Sequence, residues 1–209
     1  MLNKNLKKSL GNIIIVSAPS GAGKTAICKA VIKSSKNIVH SISYTTRFPR
    51  KGEKNGREYF FVNEATFKKM IKEKKFAEWA KVHNNYYGTS KDLLLKALES
   101  GKNILLEIDV QGGVSIKKQY PQAYMIFVMT PDFRTMEKRL VARNKDSKEV
   151  IGIRLNNARK EIGYLQKYEY LVINKKLDDA VDAVKTIIKS LEYKVVKSQK
   201  YFALKGIKK

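Results

Sequence analysis

The residues with the clearest chemistry lie near the start of the chain, in Ser17-Ala-Pro-Ser-Gly-Ala-Gly-Lys-Thr25. Gly21 and Gly23 let backbone N–H groups turn inward around a phosphate, and the N-terminus of a following helix adds partial positive charge. Lys24 supplies a mobile full charge for the outer phosphates. The Thr25 hydroxyl suits the shell of a Mg²⁺ that bridges two of them. The usual pattern opens on glycine, where this chain has Ala18, followed by Pro19 and Ser20. That position asks only for backbone dihedrals that a residue with a Cβ can adopt. Ala18 to Thr25, with Ala22 between the glycines, is therefore read as a site for a nucleoside triphosphate.

A second cluster follows in Ser41-Ile-Ser-Tyr-Thr-Thr-Arg-Phe-Pro-Arg50 and the residues after it. Arg47 and Arg50 stand three apart around Phe48-Pro49, and Ser43, Tyr59 and Tyr87 offer hydroxyls. Two guanidinium forks with hydroxyls make a receptor for a second phosphate, because arginine grips phosphate oxygens in a planar, bidentate way. His40 and His83 are the only histidines, and neither has companions at metal-ligand spacing. Cys28 falls one turn into the helix after the phosphate loop and reads as a small packed residue.

These groups need a scaffold. Four apolar runs, Ile13–Val16, Ile104–Val110, Met125–Met129 and Leu171–Ile173, read as buried strands with helical patterns between them. Strand–helix alternation of this kind predicts a mostly parallel sheet covered on both faces. The first strand leads through the glycine-rich turn into a helix over Thr25–Ile32, which is the setting a phosphate loop requires. Residues 180–191 repeat apolar groups on one helical face. Two stretches depart from the alternation. Residues 44–90 are polar, aromatic and turn-rich, with strand-like pieces at Glu58–Val62 and Phe76–Val82. Residues 131–160 are basic and helical. Thr130 is read as the N-cap of a first helix with Pro131 at its first position, and Ser147 as the cap of a second whose face is Ile151, Leu155, Ala158 and Ile162.

Bulk composition limits the classes. With 209 residues and 43% hydrophobic content, one domain with small insertions is expected. No apolar run reaches the ~18–20 residues of a membrane span. Met1 to Leu10 has lysines but no apolar core of a secretory signal, and a single cysteine allows no intramolecular disulfide; together these point to the cytoplasm. The formal charge of +24 implies acidic partners, among them phosphorylated small molecules. It also allows weak, non-specific contact with nucleic acid, but no aromatic-interleaved RNA motif accompanies it.

In addition to the phosphate loop and Ser41–Arg50, the chain carries Phe76-Ala-Glu-Trp-Ala80, Tyr86-Tyr-Gly-Thr89, Leu106-Glu-Ile-Asp109, Lys138-Arg-Leu140, Ala142-Arg143 and Ile153-Arg-Leu155. In that order and spacing, from about Asn12 to Leu191, it resembles the guanylate kinases. The resemblance implies a P-loop NTPase α/β fold of three layers with a parallel core sheet. A small mixed α+β insertion over 44–90 would bind the nucleoside monophosphate, and a helical lid would span 131–160. The core would comprise 12–43, 91–130 and 161–192, flanked by basic segments at 1–11 and 193–209.

The resemblance also implies roles. Ser43, Arg47, Arg50, Tyr59 and Tyr87 would hold the phosphate of GMP or dGMP. Glu78 would accept from the guanine N1–H and 2-amino group, a pair of donors that adenine lacks. Thr89 would meet the guanine O6, with Glu107, where the family usually has Asp, and Asp109 also on the GMP side, Asp109 contacting the base or organising the metal's water shell. Arg139, Arg143 and Arg154 would belong to the lid over ATP, with Lys24, Arg50, Arg143 and Arg154 stabilising the charge of the transferred phosphoryl. Asn174 would contact adenine, although Lys175-Lys176 replace the acidic pair that the family often carries next. Two other readings compete. A related module that binds phosphorylated protein without catalysis would lack Lys24 and the lid arginines, which are present. A kinase for another phosphorylated small molecule would have no use for Glu78 and Thr89.

Overall fold

The computed structural model describes residues 10–82, 84–142 and 148–194. The chain opens with β1 (Ile13–Ser17), the phosphate loop, α1 (Lys24–Lys33) and β2 (Ile38–His40). The insertion follows as β3 (Tyr44–Thr45), β4 (Phe60–Phe61), α2 (Glu64–Lys72), β5 (Phe76–Val82) and β6 (Asn85–Ser90). The core resumes with α3 (Lys91–Glu99), β7 (Asn103–Glu107), α4 (Val110–Gln119) and β8 (Tyr124–Met129). Two basic helices, α5 (Phe133–Val141) and α6 (Lys148–Ile162), precede β9 (Tyr170–Ile173) and α7 (Leu177–Ser190). No helix of the described residues is long and apolar enough to cross a membrane.

The core sheet has the order β2-β7-β1-β8-β9, and every neighbouring pair is parallel. β1 lies at its centre and is buried along its whole length. Its side chains alternate between faces, as a strand must. Ile14 and Val16 pack with Ile27 and Val31 of α1 and Val184 and Ile188 of α7. Ile13 and Ile15 pack on the other face with Leu94 and Leu98 of α3 and Ile116 of α4. Burying each such side chain contributes about 1.5–3 kcal/mol. The sheet is thus the stiffest support available for the loop that leaves β1.

The insertion forms a separate sheet of order β4-β3-β6-β5. It is held by aromatics rather than by aliphatic layers. Phe67 of α2 stacks on Phe76 at 4.5 Å and on Tyr86 at 5.4 Å, and Tyr44 stacks on Phe60 at 4.8 Å. The two basic helices make a third, small cluster from Met136, Leu140 and Ala158, with Ile151 and Leu155 against it.

Three boundaries differ from those read in the sequence. The strand expected over Ile104–Val110 ends at Glu107, because Asp109 caps α4, accepting from the N–H groups of Gln111 at 2.7 Å and Gly112 at 3.2 Å. The basic helix starts at Phe133 and not at Pro131. Its N-cap is Asp132, which accepts from the Thr135 N–H at 2.6 Å, while the Thr130 hydroxyl donates to the Asp132 carbonyl. A carboxylate is the better cap for the positive end of the helix. The strand-like piece Glu58–Val62 is a strand only at Phe60–Phe61, with Tyr59 in an isolated bridge to Asn55. Ser147, expected to cap the next helix, lies outside the described residues.

Candidate active site

The phosphate loop enters α1 without a side-chain cap. Gly21 and Gly23 have φ of +88° and +90°. Left-handed residues of this kind turn successive N–H groups to one side and make a nest for an anion. Ala18 and Ala22 are buried. Lys24 Nζ donates to the Ile108 carbonyl at 2.9 Å.

Thr25 Oγ1 donates to Glu107 Oε1 at 2.5 Å. Glu107 ends β7, and the parallel register places it beside Val16 at the end of β1. Glu107, expected on the GMP side, thus stands against the phosphate loop. Among the described residues, no three His, Cys, Asp or Glu side chains gather into a metal cluster. A hydroxyl and a carboxylate together fit Mg²⁺, which takes one or two protein oxygens and completes its shell with phosphate and water.

The insertion supplies the opposite wall. Arg47 Nη2 donates to both oxygens of Glu53, at 3.0 and 2.9 Å. The Arg50 backbone N–H donates to the same carboxylate at 2.7 Å, so Glu53 folds the turn and holds the Arg47 side chain and the Arg50 backbone together. The Arg47 guanidinium lies 5.5 Å from the centre of the Tyr59 ring. The rings of Tyr59 and Tyr87 meet edge-on at 5.9 Å. Burial pushes the Tyr59 hydroxyl up to about 12, so it stays a neutral donor.

At the far end of this wall Glu78 of β5 is 6% exposed and pairs in register with Thr89 of β6. Thr89 Oγ1 donates to Glu78 Oε1 at 2.6 Å. Burial raises Glu78 to about 7, with the charge of Asp109 acting in the same direction and the Thr89 bond opposing them. A Cβ on Gly112 would stand 2.8 Å from Glu78 Oε2, so a glycine here lets the first turn of α4 approach the carboxylate. The Thr89 hydroxyl, expected to meet a base carbonyl, donates to Glu78 in this structure.

Lys24, Thr25, Glu107 and Asp109 from the core share one cleft of about 930 Å³ with Ser43, Arg47, Arg50, Tyr59, Glu78 and Tyr87 from the insertion. Thr89 stands behind Glu78. The loop residues Ala18 to Gly23 do not line this cleft, and neither do Arg139, Asn174 and Arg154. Arg139 Nη2 donates to the carbonyls of Asn174 at 3.0 Å and Lys175 at 3.3 Å. Asn174 is 4% exposed, and its Nδ2 donates to the Ala22 carbonyl at 2.7 Å. Arg154 lies on α6. Arg143 lies outside the described residues.

Several contributors were not anticipated. Glu53 is one, and its signal was an acid in an otherwise basic turn, three residues after Arg50. Lys29 of α1 reaches Glu58 of the insertion at 3.7 Å, an ion pair that ties the two walls. Glu161, near the end of α6, is raised by burial, while Lys24 and the Ser20 backbone pull the other way. Neither of the last two has a local sequence signal.

Comparison with known proteins agrees with this geometry. The family model described as guanylate kinase matches residues 10–191. The chain is 46% identical over 181 residues to a guanylate kinase of Caldanaerobacter subterraneus subsp. tengcongensis, covering 87% of this chain and 88% of that one. It is also 46% identical over 182 residues to a guanylate kinase of Fusobacterium nucleatum, covering 87% of this chain and 98% of its relative. The crystal structure of guanylate kinase from Anaplasma phagocytophilum superposes with a TM-score of 0.81 at 28% identity, covering 97% and 98% of the two chains. With its P-loop on a parallel sheet and its two-walled cleft, the chain belongs to the guanylate kinase family.

Proposed function

We propose that this protein transfers the γ-phosphoryl group of ATP to GMP, and to dGMP, giving ADP and GDP or dGDP. One observation carries the reading: a single cleft joins the phosphate-loop residues Lys24 and Thr25 to a paired-arginine wall that ends on the buried carboxylate of Glu78. A phosphate acceptor and a base reader on the same wall define a nucleoside monophosphate. Facing it, the loop defines the donor.

Each residue then has a task. Arg47, Arg50, Ser43, Tyr59 and Tyr87 hold the GMP phosphate. Its oxygen, already ionised, attacks the γ-phosphorus in line without a strong base. Glu78, when ionised, accepts the guanine N1–H and one hydrogen of the 2-amino group. Thr89 orients that carboxylate, and turning its proton would let it serve O6. Lys24 leaves the Ile108 carbonyl for the phosphoryl in transit. Arg143 and Arg154 bring further positive charge as the basic helices close and exclude water. Thr25 and Glu107 would hold Mg²⁺, which when bound would neutralise phosphate charge. The cytoplasm, where these nucleotides are interconverted, is the compartment this reading assigns.

Steady-state ADP release tests the reading, with GMP, dGMP, AMP and UMP as acceptors and Mg-ATP as donor. Turnover with GMP and dGMP is expected, together with loss of guanine preference in Glu78→Ala. Equal turnover with AMP or UMP, or none with any acceptor, overturns it.

A further inference from the structure

We infer that Asn174 is a positioning residue for the phosphate loop, holding the 22–23 peptide so that the Gly23 N–H faces the triphosphate, with Arg139 fixing Asn174 in turn. The inference rests on the reading of this loop as the ATP phosphate site.

A loop that turns its N–H groups inward turns carbonyls outward, and a buried carbonyl needs a donor. Ala22 is fully buried, and its carbonyl receives Asn174 Nδ2 at 2.7 Å from 152 positions away in the chain. Only the nitrogen end of the amide can face a carbonyl, so chemistry settles the orientation of this side chain. The peptide is planar and trans, so its N–H points opposite to its C=O. Pinning the Ala22 carbonyl therefore aims the Gly23 N–H away from Asn174 and into the loop. Without the pin, a glycine at φ +90° leaves this peptide free to turn over.

Two further features fit a brace. A Cβ on Gly23 would stand 2.4 Å from Asn174 Nδ2, so the glycine leaves the space that the amide occupies. Asn174 is itself held on both sides of its backbone. Its N–H donates to the Met129 carbonyl at 2.7 Å, and its carbonyl accepts Arg139 Nη2 at 3.0 Å. The brace thus runs from α5 through the end of β9 to the loop. Asn174 Oδ1 is buried without a hydrogen-bond partner. It is the atom through which a base contact would act, by accepting from the adenine amino group, and this gives the competing role a distinct signature.

The test measures binding of Mg-ADP, Mg-tripolyphosphate and GMP by calorimetry to the intact protein, Asn174→Ala and Asn174→Asp. Tripolyphosphate has no base, and Asp keeps the oxygen while removing the donor. The brace predicts that both variants lose ADP and tripolyphosphate affinity alike, by about tenfold, the effect of leaving one buried carbonyl unpaired. GMP affinity stays within about twofold. Unchanged tripolyphosphate binding in both variants, or wild-type ADP binding by Asn174→Asp, overturns the brace. If the variants also lose GMP, the unsubstituted protein decides. Its ¹⁵N-labelled Asn174 side-chain amide is expected to shift alike with tripolyphosphate and ADP, and a shift with ADP alone overturns the brace. GMP turnover by the unsubstituted protein is scored separately, so failure of the kinase reading leaves these binding outcomes readable.

Discussion

In the proposed function the two walls of the cleft solve the same problem, holding a phosphate, with different materials. On the core side the phosphate would meet a backbone nest between β1 and α1, supported by a strand buried on both faces. One mobile lysine completes it. On the insertion side the receptor would be made of side chains: Glu53 holds the Arg47 guanidinium and the Arg50 backbone N–H, the rings of Tyr59 and Phe61 back Arg47, and Tyr87 meets Tyr59 edge-on. Backbone donors cost no side-chain entropy. Side-chain donors have to be held in place by further contacts, and each brace is a new point of failure. The core wall therefore depends on a few residues heavily, and the insertion wall on many residues moderately.

Substitutions on either side separate these regimes. The largest effect is expected for Lys24→Met, where kcat falls roughly 10²–10³-fold because the developing phosphoryl charge loses its positioned counter-charge. GMP binding by this variant, measured at equilibrium, should be nearly unchanged. Next is Glu78→Gln, which keeps the shape but presents an NH₂ where an acceptor is needed. Its kcat/KM for GMP should fall by about 10²-fold, with the preference over AMP reduced to the same degree.

The same carboxylate gives a pH signature. Glu78 is raised to about 7 by burial, and in the proposed role only its ionised form would accept both guanine donors. Affinity for guanosine, which has no titrating phosphate, should rise about tenfold from pH 6 to pH 8 and flatten above that. Glu78→Gln should abolish the dependence, and a flat profile in the unsubstituted protein would contradict the assignment. A smaller effect is expected from Glu53→Ala. Freed from its brace, Arg47 still carries its charge, so KM for GMP should rise several-fold, up to about tenfold, with kcat for saturating GMP little changed. The least is expected from Lys29→Ala. The Lys29–Glu58 pair joins the two walls but is solvent-exposed on the lysine side. Pairs of this kind contribute about 0–1 kcal/mol, so melting temperature and KM should both stay close to those of the unsubstituted protein.

How much of this was legible in the sequence follows the same division. The phosphate loop could be read directly, because its function is written in glycines, a lysine and a threonine that are neighbours along the chain. The strands of the core sheet were legible as apolar runs, and the helical face at residues 180–191 as a repeat. The arginine wall was legible as a group of suitable residue types, and became a GMP site through resemblance to a family. What failed were local competitions. Asp109, on two helix N–H groups, and Asp132, on one, outcompeted the expected element boundaries, since a capping carboxylate outweighs the propensity of the residues around it.

By itself the sequence determined the fold class, the phosphate loop and the candidate phosphate-binding arginines, because each rests on residue types at short spacing, whereas Glu78 was singled out only through resemblance to a family. The tertiary structure alone decided how those groups are held. Only folding brings Glu107 to Thr25, Glu78 to Gly112 and Asn174 to Ala22, across separations of up to 152 residues. Such contacts arise from the register of parallel strands and from which carbonyls burial leaves in need of a donor, and neither is encoded in any local run of the chain.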